Sequence, residues 1–419
     1  MMRSVRYILL LASILLVRLA AADTLTIMQY NLMYYDKEYS DCNSTNNNVD
    51  AKDGYLRTIL EYVQPDILTV NEVNDAVASV ERIKTNTLNV NGVTRYKRAN
   101  FSGDFLVNMI YYNSEKLELK SQEAISTYPR ETNVYKLYLI TPNLVNGDTI
   151  FIYHLVTHLK AGSYDSDAQA RATAATKIMD YLVTNGVNKN VILSGDMNLY
   201  GASEAAFVKF TTPAGSNNFR LYDPLNMVGE WHNDYQYRYI HTQSTRTYAD
   251  NGCFSTGGLD DRFDFILTSS DILSGTSGIK FHSYVTLGQD GNRYNSSVVS
   301  PSNTSVPSEV AYALYNMSDH LPVIMKVTYT SENTSASTTE KTIPISYNNP
   351  VNDILRINVL DPTPIKSIYI FNILGNMVYS NSAIENHTIN IDFSQNPSGI
   401  YLATLQLADN RKRIIKIIK

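Results

Sequence analysis

The chain has 419 residues, of which 44% are hydrophobic and 18% are charged, and its formal net charge is −5. This length and balance exclude both a small single domain and a disordered chain, and they predict two or three globular domains. Acidic residues are in excess within 23–340 and basic residues within 341–419. A main domain that binds nucleic acid through its own positive charge is therefore not expected, although a bound metal ion could supply the charge needed to act on phosphates.

The first 22 residues have the organisation of a secretory signal. Two arginines precede a short apolar run, and the alanines at 20–22 offer a small-residue cleavage site before Asp23. Arg18 interrupts the apolar run and leaves it too short to cross a bilayer, which argues against a membrane anchor. We therefore assign 1–22 to a signal peptide and expect an exported protein without a stable membrane span.

Export permits disulfides, and the chain has two cysteines, Cys42 and Cys253. Both lie in polar stretches rich in turn-forming residues. One disulfide that joins two loops and two free thiols remain equal alternatives, because pairing depends on a geometry that the sequence does not show.

Residues 23–329 alternate strand-like and helix-like segments. Two stretches have the apolar spacing of helices, GYLRTILEYVQ and DAQARATAATKIMDYLVTN. Apolar runs rich in β-branched and aromatic residues predict the strands LTIMQYNLM, DILTVNEV, LVNMIYYN, KLYLIT, TIFIYHLVTHL, NVILSGDMN, DRFDFILTS and LPVIMKVTY. Helices mixed among so many strands predict an α/β (α+β) domain in which helices cover the outer faces of two packed sheets.

The composition changes after this region. Residues 330–342 are rich in Ser and Thr and have no apolar periodicity, which predicts a flexible linker. Residues 343–419 alternate apolar and polar residues between turn signals, which predicts a small all-β sandwich of six or seven short strands.

Six short stretches place polar side chains at the ends of predicted strands. A buried carboxylate there costs free energy unless it is paired or holds a metal, and hard divalent cations favour such oxygen ligands. Each stretch alone is also consistent with a turn or a solvated strand end. The residues are Asn31 in MQYN, Glu72 in LTVNEVN, His154 and His158 in YHLVTHL, Asp196 and Asn198 in GDMN, Asp264 in DDRFDFIL, and Asp319 and His320 in MSDHLPV.

Two of these stretches indicate specific chemistry. Asp196 and Asn198 are two apart, so on extended chain they would point to the same side, where they could orient a water molecule and a phosphate. His320 follows Asp319, and a second aspartate elsewhere in the chain could fix the tautomer of this histidine and raise its basicity.

The two histidines of YHLVTHL are four residues apart and therefore share a strand face. His154 is consistent with a packed, hydrogen-bonded residue. His158 lies nearer to the following loop and is the better functional candidate.

The motifs QYN, NEV, THL, GDMN, DRFDFIL and SDHLPV occur together in this order. In this respect the region from 23 to about 330 resembles the endonuclease/exonuclease/phosphatase superfamily, in its pancreatic deoxyribonuclease-like branch. The resemblance implies a four-layered sandwich of two packed mixed sheets flanked by helices, with the site at one edge of the sheets. It also implies hydrolysis of a phosphoester that depends on Mg²⁺ or Mn²⁺, and it is compatible with a structural Ca²⁺.

The resemblance also implies roles for the strand-end residues. Asn31, Glu72 and Asp319 correspond to metal-binding groups. Asp196 and Asn198 correspond to residues that orient the attacking water and the phosphate.

The remaining roles concern acid–base chemistry and phosphate binding. His320, polarised by Asp264, corresponds to a base or phosphate donor, and His158 to a candidate general acid. Arg130 in YPRETNVYKL resembles a phosphate-binding arginine, although a solvated arginine at a strand end explains that motif equally well.

The substrate class remains open between several phosphoesters. The abasic-site repair branch of this superfamily has a carboxylate where this chain has Met33, and this difference, together with His158 and export, argues against DNA repair. A secreted nuclease acting on DNA or RNA is the leading hypothesis, with a sphingomyelinase, a phospholipase C-like enzyme or a phosphomonoesterase as alternatives. Trp231, in EWHNDYQYRYIH, is compatible with base stacking, lipid contact or ordinary packing.

The tail carries a second resemblance. NPVNDILRI, IYIFNILGNMVY, PSGIYLATL and the basic end RKRIIKIIK resemble the C-terminal sorting domain of type IX secretion in Bacteroidetes, and a generic carbohydrate-binding or adhesive sandwich is the alternative. The resemblance implies recognition by the type IX secretion machinery, export through the periplasm and outer membrane, and then release or surface attachment. No sequence feature specifies the oligomeric state, and we expect a monomer.

Overall fold

The computed structural model describes residues 23–141, 144, 149–329, 343, 345–372, 376–409 and 411–419. The described residues before 330 and those from 343 onward form two compact units. The predicted signal peptide, 1–22, and the predicted linker, 330–342, lie outside the described residues.

The first sheet of the larger unit is mixed and has six strands. Its strands are β1 (Asp23–Tyr35), β2 (Ile67–Val73), β3 (Tyr96–Arg98), β4 (Val107–Asn113), β11 (Ile279–Thr286) and β12 (Val323–Tyr329). They are ordered β11-β12-β1-β2-β4-β3 across the sheet. β1 and β2 run parallel, and the other neighbours run antiparallel.

The second sheet is also mixed and six-stranded. Its strands are β5 (Leu117–Ile125), β6 (Thr132–Leu139), β7 (Phe151–His158), β8 (Val191–Asp196), β9 (Leu221–Tyr222) and β10 (Asp264–Ser269). They are ordered β5-β6-β7-β8-β10-β9. Here β7 and β8 form the parallel pair.

The two sheets pack face to face through an apolar layer. Ile27 and Ile67 of the first sheet and Val156, Ile192 and Ile266 of the second belong to one core cluster and are fully buried. Burial of each such side chain contributes about 1.5–3 kcal/mol to folding. This apolar layer fixes the position of one sheet edge relative to the other.

Helices cover the outer faces of both sheets and complete four layers. Core clusters join α1, α2 and α6 to the first sheet, and α3 and α4 to the second. The architecture confirms the predicted fold class. The helices are α1 (Val49–Val63), α2 (Val77–Ile83), α3 (Asp165–Thr184), α4 (Ala205–Thr211), α5 (Ser270–Ser274) and α6 (Ser308–Met317), with single turns at Lys84–Leu88 and Tyr235–Tyr237.

Two element boundaries differ from the sequence prediction. α1 begins earlier than the apolar spacing suggested, because the Asn48 side chain accepts a hydrogen bond from the Ala51 N–H and caps the helix. β1 extends beyond both ends of the predicted strand LTIMQYNLM, from Asp23 to Tyr35, with a shift in register after Asn31. The shift coincides with left-handed backbone at Met33, whose φ is 44°.

The two cysteines form a disulfide, which settles the alternative that the sequence left open. Cys42 lies in the segment after β1 and Cys253 in the segment before β10, and their Cα atoms are 4.7 Å apart. Beside them, Met33 and Phe254 complete a small apolar cluster. The disulfide therefore joins two loops that are 211 residues apart in sequence.

Removal of this disulfide is expected to destabilise the larger unit. Cys42→Ser/Cys253→Ser opens a very long loop in the unfolded chain, so the free energy of unfolding falls by about 2–4 kcal/mol. Urea denaturation, followed by tyrosine fluorescence with and without dithiothreitol, measures the change. The double variant should be insensitive to the reductant, whereas the parent chain should lose stability in it. Equal stability of all four samples would contradict the prediction.

The smaller unit contains antiparallel strands only. Its strands are β13 (Ile345–Tyr347), β14 (Ile354–Val359), β15 (Ile365–Asn372), β16 (Met377–Asn381), β17 (Thr388–Asp392), β18 (Ile400–Leu407) and β19 (Lys412–Ile418). Two sheets, β13-β14-β17 and β16-β15-β18-β19, enclose one apolar core that includes Leu355, Ile370 and Leu405. Seven strands among the described residues match the predicted all-β sandwich.

Candidate active site

Strand ends from both sheets meet at one edge of the larger unit. Glu72 lies near the end of β2, and His158 and Asp196 are the last residues of the parallel strands β7 and β8, where they are paired in register. Asp264, the first residue of the antiparallel β10, is paired with Asp196 from the other side. Strand direction and register thus bring together residues that are far apart in sequence.

One buried asparagine, Asn71, forms hydrogen bonds to residues of both sheets at this edge. Asn71 Oδ1 accepts hydrogen bonds from Gln29 Nε2 at 2.6 Å and from the Asp196 N–H at 2.9 Å. Its Nδ2 donates to Asn108 Oδ1 at 2.7 Å and to the Thr157 carbonyl at 3.1 Å. All four hydrogen-bonding positions of the amide are used, which makes such a buried network rigid. Sequence reasoning overlooked Asn71, although a polar residue inside an apolar run was a usable signal.

β7 and β8 approach each other closely beside the site. Gly195 has φ of 149°, and a Cβ at this position would lie 1.8 Å from the Thr157 carbonyl oxygen. Any side chain would push the two strands apart. The glycine of GDMN is therefore required for the register that places His158 beside Asp196.

A buried group of three side chains offers ligands for a metal ion. One ligand atom each from Glu72, His158 and Asp196 lies within 4.8 Å of the other two. His158 Nε2 is 3.7 Å from Glu72 Oε1 and 3.4 Å from Asp196 Oδ2. Asn31 Nδ2 donates to both carboxylates, at 3.0 Å to Glu72 and 2.9 Å to Asp196. Three acceptor atoms, one from each of these side chains, thus lie close together, and the Asn31 amide bridges the two carboxylates.

The electrostatics of this group fit a bound cation. Burial lowers the pKa of His158 well below its usual range, and the charges of Arg130 and His320 act in the same direction, so the imidazole is neutral. Burial raises the pKa of Asp196 to about 7, with further increases from the charges of Asp264 and Glu72 and an opposing effect of His320. A divalent ion would stabilise two crowded carboxylates and a neutral imidazole. Ions such as Mn²⁺ and Mg²⁺ accept this kind of ligand set.

His320 and Asp264 form a buried pair beside the metal-ligand group. His320 Nδ1 is 2.7 Å from Asp264 Oδ2, and His320 Nε2 is 3.7 Å from Asp196 Oδ2. Burial alone would lower the pKa of His320, but the charges of Asp264 and Asp196 outweigh it and raise the pKa well above its usual range. The carboxylate of Asp264 therefore orients the ring and makes it more basic.

Gln243 is a further polar contact of this histidine. Its Nε2 lies 2.7 Å from His320 Nε2 and 3.2 Å from Asp319 Oδ2. The amide can donate to a neutral His320, whereas protonation of the ring requires the amide to turn its oxygen toward it. Sequence reasoning missed Gln243, because it lies in an irregular segment without periodicity or a motif.

Asp319 lies near the metal-ligand group, but its hydrogen bonds are to residues outside that group. Its Oδ2 accepts from Gln243 Nε2 and from the Ser255 N–H at 3.0 Å. Its Oδ1 is buried and has no hydrogen-bond partner among the described residues. Asp319 thus connects the site to the loop that carries Cys253, and its predicted part in metal binding stays a prediction.

Asn198 reaches the site by a route that differs from the predicted one. β8 ends at Asp196, and Asn198 has φ of 50°, so the two residues do not alternate along extended chain. Instead the Asn198 N–H donates to Asp196 Oδ1 at 3.1 Å, and its Nδ2 donates to the Leu159 carbonyl at 3.2 Å. A turn, to which asparagine is well suited, brings the Asn198 main-chain N–H to the Asp196 carboxylate, while the side-chain amide lies against the Leu159 carbonyl.

Arg130 lies close enough to the site to act on it electrostatically. Its charge lowers the pKa of His158 and opposes the rise in the pKa of Tyr34. Its Nε and Nη1 are buried and make no hydrogen bond within the described part of the chain. These free donors suit a phosphate oxygen.

Two other sequence candidates are structural. His154 Nε2 is 2.8 Å from Ser194 Oγ in a fully buried setting, as a packed histidine would be. Trp231 is 0% exposed, donates from Nε1 to the Met227 carbonyl and packs edge-on against Phe207. It therefore belongs to the core and contacts neither bases nor lipid.

Several solved structures are similar to this chain at low sequence identity. D. rerio TDP2 complexed with single strand DNA product is 18% identical with a TM-score of 0.45, covering 73% of this chain and 98% of that chain. The human Nocturnin catalytic domain with bound sulfate is 14% identical with a TM-score of 0.45, covering 74% and 98%. ANGEL2, a 2′,3′-cyclic phosphatase in complex with adenosine-2′,3′-vanadate, is 13% identical with a TM-score of 0.41, covering 74% and 96%.

Sequence comparison is informative for the tail. No curated protein sequence matches the chain. Within the described residues, no helix has the length and apolar character needed to cross a membrane. Residues 345–419 match the family model of the secretion system C-terminal sorting domain. This match confirms the prediction for the tail and supports export, with secretion or attachment at the cell surface.

Proposed function

We propose that the larger unit is a metal-dependent phosphoric ester hydrolase of the endonuclease/exonuclease/phosphatase superfamily. The observation that carries this proposal is the buried group of Glu72, His158 and Asp196 beside the His320–Asp264 pair. A cation site next to an oriented histidine is the arrangement that hydrolysis of a phosphoester needs.

Glu72, Asp196 and His158 would hold the ion, and the Asn31 amide would orient both carboxylates. When bound, Mg²⁺ or Mn²⁺ would supply positive charge to a non-bridging phosphate oxygen. The lowered pKa of His158 keeps this residue neutral. That state suits a ligand better than the general acid that the family resemblance suggested.

His320 is the candidate base. Its Nδ1 is bonded to Asp264, so Nε2 is the nitrogen that faces Asp196 and the metal-ligand group. In its neutral form, and once the Gln243 amide gives up its contact with Nε2, Nε2 can take a proton from an attacking water molecule. Asn198 and Arg130 are candidate donors to the phosphate oxygens, where fixed donors stabilise developing charge.

An aromatic rim beside the metal-ligand group favours a nucleic-acid substrate. The Tyr34 N–H donates to Glu72 Oε2 at 3.2 Å, so the rim begins at the site itself. The Tyr34 ring packs edge-on against Tyr39, and Tyr39 against Phe105, with centroids 5.3 and 5.0 Å apart. Tyr39 is 46% and Phe105 39% exposed. Stacking of an unpaired base on such rings contributes about 1–3 kcal/mol, and we therefore propose an exported nuclease.

A substrate panel tests this proposal. The full chain without its signal is incubated with single-stranded DNA, plasmid DNA, RNA, sphingomyelin vesicles and p-nitrophenyl phosphate, in Mg²⁺, Mn²⁺ or EDTA. We expect cleavage of nucleic acid in either metal and none in EDTA. Hydrolysis of sphingomyelin or of the phosphomonoester alone would replace the nuclease with that activity, and full activity in EDTA would exclude metal dependence.

A further inference from the structure

Lys52, in the first turn of α1, is an unusual residue to find buried. It is 2% exposed, and no carboxylate among the described residues forms an ion pair with it. A cation near the start of a helix also opposes the helix dipole. Burial lowers its pKa and the charges of Asp319 and Glu72 raise it, and the three acceptors that surround Nζ favour the charged ammonium. Such a side chain needs a specific set of acceptors to be tolerated.

Its acceptors are one neighbouring amide and the carbonyls of Leu32 and Met33, in the part of β1 where the register shifts and the chain makes a left-handed turn. Lys52 Nζ donates to the carbonyl of Leu32 at 2.7 Å, to the carbonyl of Met33 at 2.5 Å and to Asn47 Oδ1 at 2.7 Å. An ammonium group has three hydrogens, and all three are used. Lys52 therefore has no donor left for a substrate phosphate, and its partners are two main-chain carbonyls and the Asn47 side chain.

The turn that Lys52 contacts has a strained backbone. Met33 and Tyr34 have φ of 44° and 48°, in the left-handed region that residues with a Cβ disfavour. Residues in such conformations persist only where the surroundings hold them. Lys52 binds two carbonyls of this turn, and Asn47 Nδ2 donates to a third, that of Tyr34, at 2.9 Å.

The opposite side of the same turn holds the metal-ligand group. The Met33 N–H donates to Asn31 Oδ1 at 2.9 Å, and the Tyr34 N–H donates to Glu72 Oε2. Asn31 in turn bridges the carboxylates of Glu72 and Asp196. An unbroken chain of hydrogen bonds thus leads from Lys52 through the turn to the candidate metal ligands.

We propose that Lys52 is a positioning residue, whose ammonium fixes the Leu32–Tyr34 turn so that its N–H groups orient Asn31 and Glu72 for metal binding. This inference rests on the proposed function, because it concerns the same site. It assigns Lys52 no contact with substrate. We call Lys52 with its three hydrogen bonds the clamp. Loss of the clamp is therefore expected to lower the metal affinity first, and to slow catalysis only as a consequence.

Mn²⁺ titration of the full chain, with free Mn²⁺ followed by electron paramagnetic resonance, tests the inference. Lys52→Met removes the three hydrogen bonds and is expected to weaken Mn²⁺ binding by about 10–100-fold, as loss of groups that orient metal ligands does. The matched control is Lys116→Met. Lys116 Nζ binds the Thr24 carbonyl and Asp66 near the opposite end of β1, so its loss should leave the Mn²⁺ affinity unchanged.

A second variant covers the case in which Lys52→Met does not fold. Asn47→Ser removes one partner of the clamp at a less buried position and is expected to weaken Mn²⁺ binding several-fold. In both variants saturating Mn²⁺ should recover most of kcat on single-stranded DNA, because no group that touches substrate is lost.

The outcomes separate this inference from the proposed function. If the parent chain binds Mn²⁺ and both clamp variants bind it equally well, the positioning role is overturned while the proposed function stands. The role is also overturned if Lys116→Met weakens Mn²⁺ binding as much as Lys52→Met, since the effect would then be general destabilisation. If the parent chain binds no Mn²⁺, the metal-dependent function fails and this inference fails with it.

Discussion

Glu72→Gln is expected to lower kcat/KM for phosphoester cleavage by about 10³-fold, because a bound divalent ion supplies several kcal/mol of transition-state stabilisation. The amide of the variant has a single oxygen, so it can keep the hydrogen bond from Asn31 Nδ2 but loses the one from the Tyr34 N–H. What it lacks is the negative charge that a hard cation needs. Initial rates at several Mg²⁺ and Mn²⁺ concentrations measure the loss.

Thermal unfolding separates this electrostatic effect from misfolding. In EDTA the variant should unfold at a temperature equal to or above that of the parent chain, because a buried carboxylate next to Asp196 has been removed. Added Mn²⁺ should raise the Tm of the parent chain and leave that of the variant almost unchanged. Glu123→Gln, at an exposed position of β5, is the control. A variant that keeps both the Mn²⁺ response and the activity would rule out Glu72 as a ligand.

His320→Ala is expected to reduce kcat by about 10²–10⁴-fold, the usual contribution of a positioned general base. Asp264→Asn should produce a smaller loss with a diagnostic change in the pH profile. The base works in its neutral form, and the charge of Asp264 raises the pKa of His320. Removing that charge lowers this pKa, so the rising limb of the rate profile should move to lower pH while the maximal rate falls.

Rates of the three proteins between pH 5 and 9, at saturating metal, provide the measurement. His282→Ala replaces an exposed histidine of β11 and should have the parent profile. If Asp264→Asn moved the rising limb to higher pH, or if His320→Ala kept the parent rate, His320 would not be the base.

The sequence was sufficient to predict candidate residues at strand ends because each lies next to an apolar run. An apolar run predicts a buried strand, and a carboxylate or imidazole at its end must lie at the sheet edge. For Glu72, His158 and Asp196, strand direction and register then determine the meeting point; the sequence indicated only, through the family resemblance, that a site would lie at one edge of the sheets. The fold class followed from the same alternation of strands and helices.

The contacts that support these residues could not be predicted in this way. Gln243 and Lys52 act through partners that are distant in sequence or that belong to the main chain, and neither has a periodic pattern. The left-handed turn at Met33 runs against the conformational preference of its residues. The Asn198 contact comes from a turn where extended chain was expected. In each case tertiary structure overrides the local signal.

The link between Cys42 and Cys253 has a consequence for redesign. The candidate catalytic groups belong to the ends of core strands, whereas these two cysteines lie on loops beside them, and loops can vary while a scaffold keeps its residues in place. Because the loops are covalently joined, neither can be exchanged for a foreign segment without its partner. A graft that alters substrate preference should therefore transfer both loops as one two-segment module and leave the strand ends intact.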